Sequence, residues 1–115
     1  MTDRIEAIAR EVYGADGVDY SDEAAADLKA ILADPAMAKL PVCMAKTQYS
    51  LTHDPALLGR PKGWRLPIRS VMTYCGAGWV VPVCGDIKLM PGTTSNPAFR
   101  RIDVDTDTGA VIGIM

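Results

Sequence analysis

The stretch VCMAKTQYSLTHDPALLGRP, residues 42–61, passes from apolar residues into Lys46, Thr47, Gln48, Tyr49, Ser50, Thr52, His53 and Asp54. A cation, a carboxylate, an imidazole, an amide and four hydroxyls fall within those nine positions. Such a set can bind and orient a polar ligand. In open α/β sheets ligands gather at loops beyond the carboxyl ends of strands, where this cluster is expected. The same residue types can instead satisfy loop amides, with Lys46 solvated, and the residues alone leave both readings open. His53 is the single histidine, the residue type best suited to general acid–base work, and Asp54 beside it could orient it. Sequence neighbours rarely face each other, however, and THDP has the pattern of a turn in which Asp54 bonds loop amides, the reading preferred here.

Elsewhere the motifs are weaker. Asp103, Asp105 and Asp107 precede Gly109, but a calcium loop needs glycine at its sixth position and a carboxylate at its twelfth; here glycine is seventh, so a solvated hairpin is expected. GAGWVVPVCG has no G-x-x-x-x-G-K-[ST], and its G-x-G lacks a third glycine and a following helix, so its glycines read as a bend. Cys43, Cys75 and Cys84 form no C-x-x-C and cannot all pair within the chain; buried, reduced thiols are expected.

These groups must be held by one small domain, since 115 residues bury a single core. With 49% hydrophobic and 23% charged residues the chain should fold, its core built mainly from Ala, Val, Ile, Leu and Met. A net charge of −2 with scattered Lys and Arg gives no footprint for nucleic acid. MTDRIEAIAR has no apolar signal region and no stretch approaches the ~20 apolar residues of a membrane span, so neither secretion nor a membrane partner is expected.

Ile5, Ile8, Ala9 and Val12 predict one face of a helix over about residues 3–13, with Asp3 and Glu6 as a capping pair. Gly14 and Gly17 stop it. Ser21 opens a second helix with Leu28, Ile31 and Leu32 inward and Pro35 at its end. LPVCMAKT suits a strand covered on both faces, and three prolines and two glycines between Ser50 and Pro67 predict an ordered loop, a single helical turn fitting DPALL. Ile68–Tyr74 and Trp79–Val83 predict two strands hinged at Gly76 and Gly78, with Pro82 at an edge or bulge, and RIDVDTDTGAVIGIM predicts a terminal β-hairpin. The expected fold is α/β (α+β): a single small domain over 1–115, two N-terminal helices packed on a small mixed sheet, with a C-terminal hairpin.

The runs IEAIAREVYGADGVDYS, LPVCMAKTQYSLTHDPALLGRPKGW, PIRSVMTYCGAGWVVPVCGDIKLMPG and IDVDTDTGAVIGIM, which together cover essentially the whole chain, resemble the C-terminal portion of formate–tetrahydrofolate ligase. The resemblance implies a cytoplasmic one-carbon enzyme that joins formate to tetrahydrofolate with ATP through formyl phosphate, with magnesium and stimulation by monovalent cations. It also implies that the phosphate-binding loop and folate-stacking aromatics of the family lie upstream of the matched segment. ATP, magnesium and tetrahydrofolate are therefore expected for the complete enzyme and no cofactor for this chain alone. Met1 stands just before the first helix, a natural seam for a separately encoded piece or a cut domain.

The expected role is that of the small subunit of a split ligase, docked on a large nucleotide-binding chain, with Lys46, Thr47, Gln48, Tyr49 and Ser50 lining the face turned to its cleft and Lys46 offering charge to an anionic ligand. As a loop residue Lys46 is expected to add little to stability. The alternative is a stand-alone binding or assembly module that keeps the fold without the reaction. Two places depart from the family pattern: MPGTTSNP where MPGLP is common, and Tyr74 and Cys75 where members carry a small or charged residue.

Overall fold

The computed structural model describes residues 1–87 and 94–114; part of the MPGTTSNP segment lies outside them. Helix α1, Thr2–Ala7, continues as a π turn over Ile8–Val12. Ile5 and Ala9 are fully buried, whereas Val12 is 64% exposed. The inward face predicted through Val12 therefore fails at its last member, because the wider i→i+5 turn, closed by Tyr13 N–H on the Ile8 carbonyl at 3.3 Å, shifts the phase of the helix. The predicted capping pair is also absent: Met1 is the N-cap, no side chain caps the helix, and Glu6 instead pairs with Arg10 at 2.8 Å.

Strand β1, Val18–Tyr20, lies between Gly17 and Ser21, where the sequence predicted no strand. It is brief, and its parallel partner is far away in the chain: Val18 pairs with Leu66 and Tyr20 with Ile68. Helix α2, Asp22–Ala33, begins where Ser21 predicts, with Ala24 N–H donating to Ser21 Oγ. Leu28 and Ile31 face the core, but Leu32 turns outward, 46% exposed. The Ser21 hydroxyl also donates to the Arg69 carbonyl at 2.6 Å, tying the helix start to the sheet. Ser21→Ala removes both bonds and is expected to cost about 1–2 kcal/mol, seen as a thermal midpoint several degrees lower; an unchanged midpoint would show that the cap is replaced by water.

Strands β2, Leu66–Tyr74, and β3, Trp79–Cys84, form an antiparallel hairpin whose turn places Gly78 at φ +77°. The sheet order β1-β2-β3, one parallel and one antiparallel pair, makes the predicted mixed sheet. Register shifts between Ile68 and Ser70, so the bulge lies on β2, and Val71 N–H beyond it donates to Asp27 of α2 at 2.8 Å. Pro82 lies inside β3, buried and paired with Val71. Leu66, Ile68, Val80 and Cys84 join Ile5, Ala9, Leu28 and Ile31 in the core between helices and sheet.

Residues 41–45 run alongside β3, with Cys43 and Ala45 N–H donating to the carbonyls of Val80 and Pro82, each at 2.9 Å, and Cys84 N–H returning to Ala45 O at 2.8 Å. This segment is a ragged parallel edge, not the strand covered on both faces expected from sequence: Pro41 and Cys43 are exposed. Further along the chain, β4, Asp103–Val104, pairs with β5, Val111–Ile112, as the terminal hairpin. No helix of the described residues is long and apolar enough to cross a membrane.

Candidate functional site

The polar cluster begins at Lys46, directly after the edge segment has been fixed to β3. The Lys46 ammonium donates to the carbonyls of Thr47 at 2.8 Å, Thr52 at 2.9 Å and Ser50, and lies 5.1 Å from the centroid of the Tyr13 ring. Three converging acceptors require three N–H donors, which only the protonated amine supplies. Burial acts against that charge and lowers the Lys46 pKa; the nearby Cys84 acts in the opposite direction. Burial likewise raises the Tyr13 phenol, with Cys84 and Cys43 adding to the effect.

Around this centre the loop bonds to itself. Thr52 is fully buried; its hydroxyl donates to Asp54 O at 3.1 Å, accepts from Asp54 N–H at 3.0 Å and lies 3.0 Å from Ser50 Oγ. Ser50 Oγ accepts from Thr52 N–H and donates to the Leu57 carbonyl, while Thr47 Oγ1 accepts from Tyr49 N–H at 3.3 Å. Asp54 accepts from Ala56 N–H at 2.9 Å, the turn that THDP suggested. No helix follows; DPALL makes only a turn. Gln48 and Tyr49 remain at the outer rim, Tyr49 68% exposed.

His53 points to the rear, its ring centroid 6.5 Å from that of Trp64 and its Nδ1 buried without a hydrogen-bond partner among the described residues. Its backbone lies against Gly85, whose φ is +67° and where a Cβ would come within 3.3 Å of the His53 carbonyl oxygen. The structure thus divides the sequence candidates. Lys46, Thr47, Ser50 and Asp54 hold the loop, Gln48 and Tyr49 face outward, and His53 wedges the loop against the end of β3. The expectation that Lys46 adds little to stability is corrected: a solvated lysine would add little, but this one ties three backbone carbonyls together.

Tyr13, Trp64 and Gly85 complete the site and were not singled out from sequence. Gly85 directly after an apolar strand was the one local signal; Tyr13 and Trp64 are brought in by distant elements. The cysteine expectation is also corrected, since all three are free but only Cys84 is buried, Cys43 and Cys75 being exposed. Burial pushes the Cys84 thiol up to about 12, against the pull of Lys46. A disulfide-exchange reagent at pH 8 should therefore titrate two thiols quickly and the third only after unfolding; three fast thiols would contradict the burial. Unfolded Cys84 ionises near pH ~8.5 while the folded thiol keeps its proton, so its contribution to stability is complete below that pH and is lost as pH rises towards 12.

Among the described residues no group of His, Cys, Asp or Glu can hold a metal ion, and the Lys46 ammonium is taken up by carbonyls. This donor set does not fit magnesium or a nucleotide phosphate. What the geometry defines is a small mixed-sheet domain carrying one rigid, self-bonded loop with an amide and a phenol at its rim. The formate–tetrahydrofolate ligase family model matches residues 1–115, and the chain belongs to that family. It is 63% identical over 114 residues to a formate–tetrahydrofolate ligase of Desulforapulum autotrophicum, covering 99% of this chain and 19% of that protein. A ligase of Desulfotalea psychrophila is 62% identical over 111 residues, 96% of this chain and 20% of the relative, and one of Dehalococcoides mccartyi 60% identical over 111 residues. The chain thus spans about a fifth of the length of these curated relatives.

Proposed function

We propose that this chain is the small component of a split formate–tetrahydrofolate ligase, equivalent to the C-terminal portion of the family's longer members and acting in the cytoplasm. With a large nucleotide-binding chain it supports ATP-dependent formation of 10-formyltetrahydrofolate from formate and tetrahydrofolate. The observation that carries this reading is the match of the entire chain, at 63% identity, to a fifth of a ligase. The site agrees with it, because a loop whose lysine, hydroxyls and carbonyls are mutually satisfied is suited to shaping one wall of a cleft, not to running a reaction alone. In the complex, ATP, magnesium and tetrahydrofolate are held by the large chain, and Gln48 and Tyr49 form the part of the loop that meets its cleft.

Two measurements test this. The purified chain should turn over no ATP, and hydrolysis by a clean sample would contradict the reading. Mixed with the Desulforapulum autotrophicum ligase from which the matched stretch has been deleted, it should co-elute on a sizing column; separate elution, with the shortened ligase fully active unaided, would leave a module that has kept the fold and lost the reaction.

A further inference from the structure

The terminal hairpin carries apolar side chains on both faces. Val104 stands opposite Val111, and Asp103 opposite Ile112. Alternation puts the Val104–Val111 pair on one face and Ile112, across from Asp103, on the other, with Ile102 and Ile114 flanking the paired residues. These five apolar residues are 42–61% exposed, Phe99 just ahead of them is 74% exposed, and none belongs to the core. A two-stranded ribbon is marginal in water by itself, and contiguous exposed apolar side chains mark an interaction surface.

The hairpin is nonetheless well built. At its tip the Asp105 carboxylate accepts from Asp107 N–H at 2.9 Å and Thr108 N–H at 3.2 Å, and Gly109, at φ +73°, donates to Asp105 O at 2.7 Å. At its base Gly113, φ +77°, passes so close to Arg101 that a Cβ would lie 1.9 Å from the Arg101 carbonyl oxygen, and Arg101 Nε donates to Gly113 O at 3.2 Å. Tip and base are both locked, so little order remains to be imposed on binding.

We propose that this hairpin is the arm by which the chain inserts into the companion ligase chain, one layer of the partner covering Val104 and Val111 and another covering Ile112. The inference rests on the reading under Proposed function and names the surface that makes the complex. The length of the relatives favours this occupant over a second copy: 99% of the chain aligns with a ligase in which the aligned stretch is a fifth of the polypeptide, so in that relative the matched stretch belongs to a chain with four-fifths more protein available to cover it.

Val104→Lys and Ile112→Lys place a charge on one face each at exposed positions, and Val12→Lys, on the exposed side of the first helix, serves as control. The probe is the Desulforapulum autotrophicum ligase lacking the matched stretch. Each arm variant should bind it at least tenfold more weakly than the wild type, the control should bind unchanged, and the amides of 103–112 in the unmodified chain should gain hydrogen-exchange protection in the complex, a readout that needs no variant to fold. If the wild type binds while the arm variants bind equally well and 103–112 stays unprotected, the arm is wrong and the split-ligase reading stands. If the wild type does not bind, that reading fails and the arm with it. A wild-type homodimer that Val104→Lys converts to monomer would assign the arm to a second copy and overturn the proposal.

Discussion

Lys46→Met should leave the sheet and helices folded, loosen residues 46–54, and lower the rate of the complex with the large chain at least tenfold. Methionine keeps most of the apolar stem but has no ammonium, so the carbonyls of Thr47, Ser50 and Thr52 lose their shared donor and the Tyr13 ring its cation. Hydrogen bonds from a charged donor are worth more than neutral ones, and the expected loss of stability is about 2 kcal/mol. Lys46→Arg should restore little, since a planar fork does not converge on three oxygens as a rotating ammonium does. Denaturant unfolding gives the stability, tryptic cleavage at exposed Lys62 the loosening, and a mixed assay the rate. A variant as stable, as resistant and as active as the wild type would show that Lys46 is not the centre of the loop.

Leu66→Ala should have the largest effect on folding. Leu66 is fully buried at the start of β2, the central strand, where it pairs with Val18. Removing a buried leucine side chain costs about 3–5 kcal/mol, through lost transfer energy and the cavity left behind, against a total stability of roughly 5–15 kcal/mol for a domain. The urea midpoint, followed by fluorescence of buried Trp64, should fall by a third or more, whereas Leu58→Ala, at a position 75% exposed, should shift it little. Equal shifts from the two variants would mean that the core does not lie between β2 and the helices.

The elements that sequence made legible were those whose signals are local. Ser21 followed by Asp22 and Glu23 marked α2, the glycine pair marked the β2–β3 turn, and DTDTG between alternating apolar residues marked the terminal hairpin. Strand β1 was hidden because three residues carry almost no periodicity and their pairing is with Leu66–Ile68. The inward face predicted for the first helix fails only at Val12, because a π turn leaves no mark in an apolar pattern. The segment at 41–45 looked doubly covered because its apolar run resembles that of an inner strand, yet it sits at the sheet's edge. In the loop, sequence identified the polar cluster but not its division of labour. Which hydroxyls bond the backbone, and that Lys46 reaches the carbonyls at positions 47, 50 and 52, depends on the path of the loop past Tyr13 and Gly85.

The most direct test of a shared ligase is the rate of 10-formyltetrahydrofolate formation from formate, ATP and tetrahydrofolate by the shortened Desulforapulum autotrophicum ligase, measured with and without this chain. Negligible product is expected from either protein alone, with a rate that rises with added chain until the two are equimolar. Product from this chain by itself, or a rate from the shortened ligase that does not respond to it, would rule out a shared ligase.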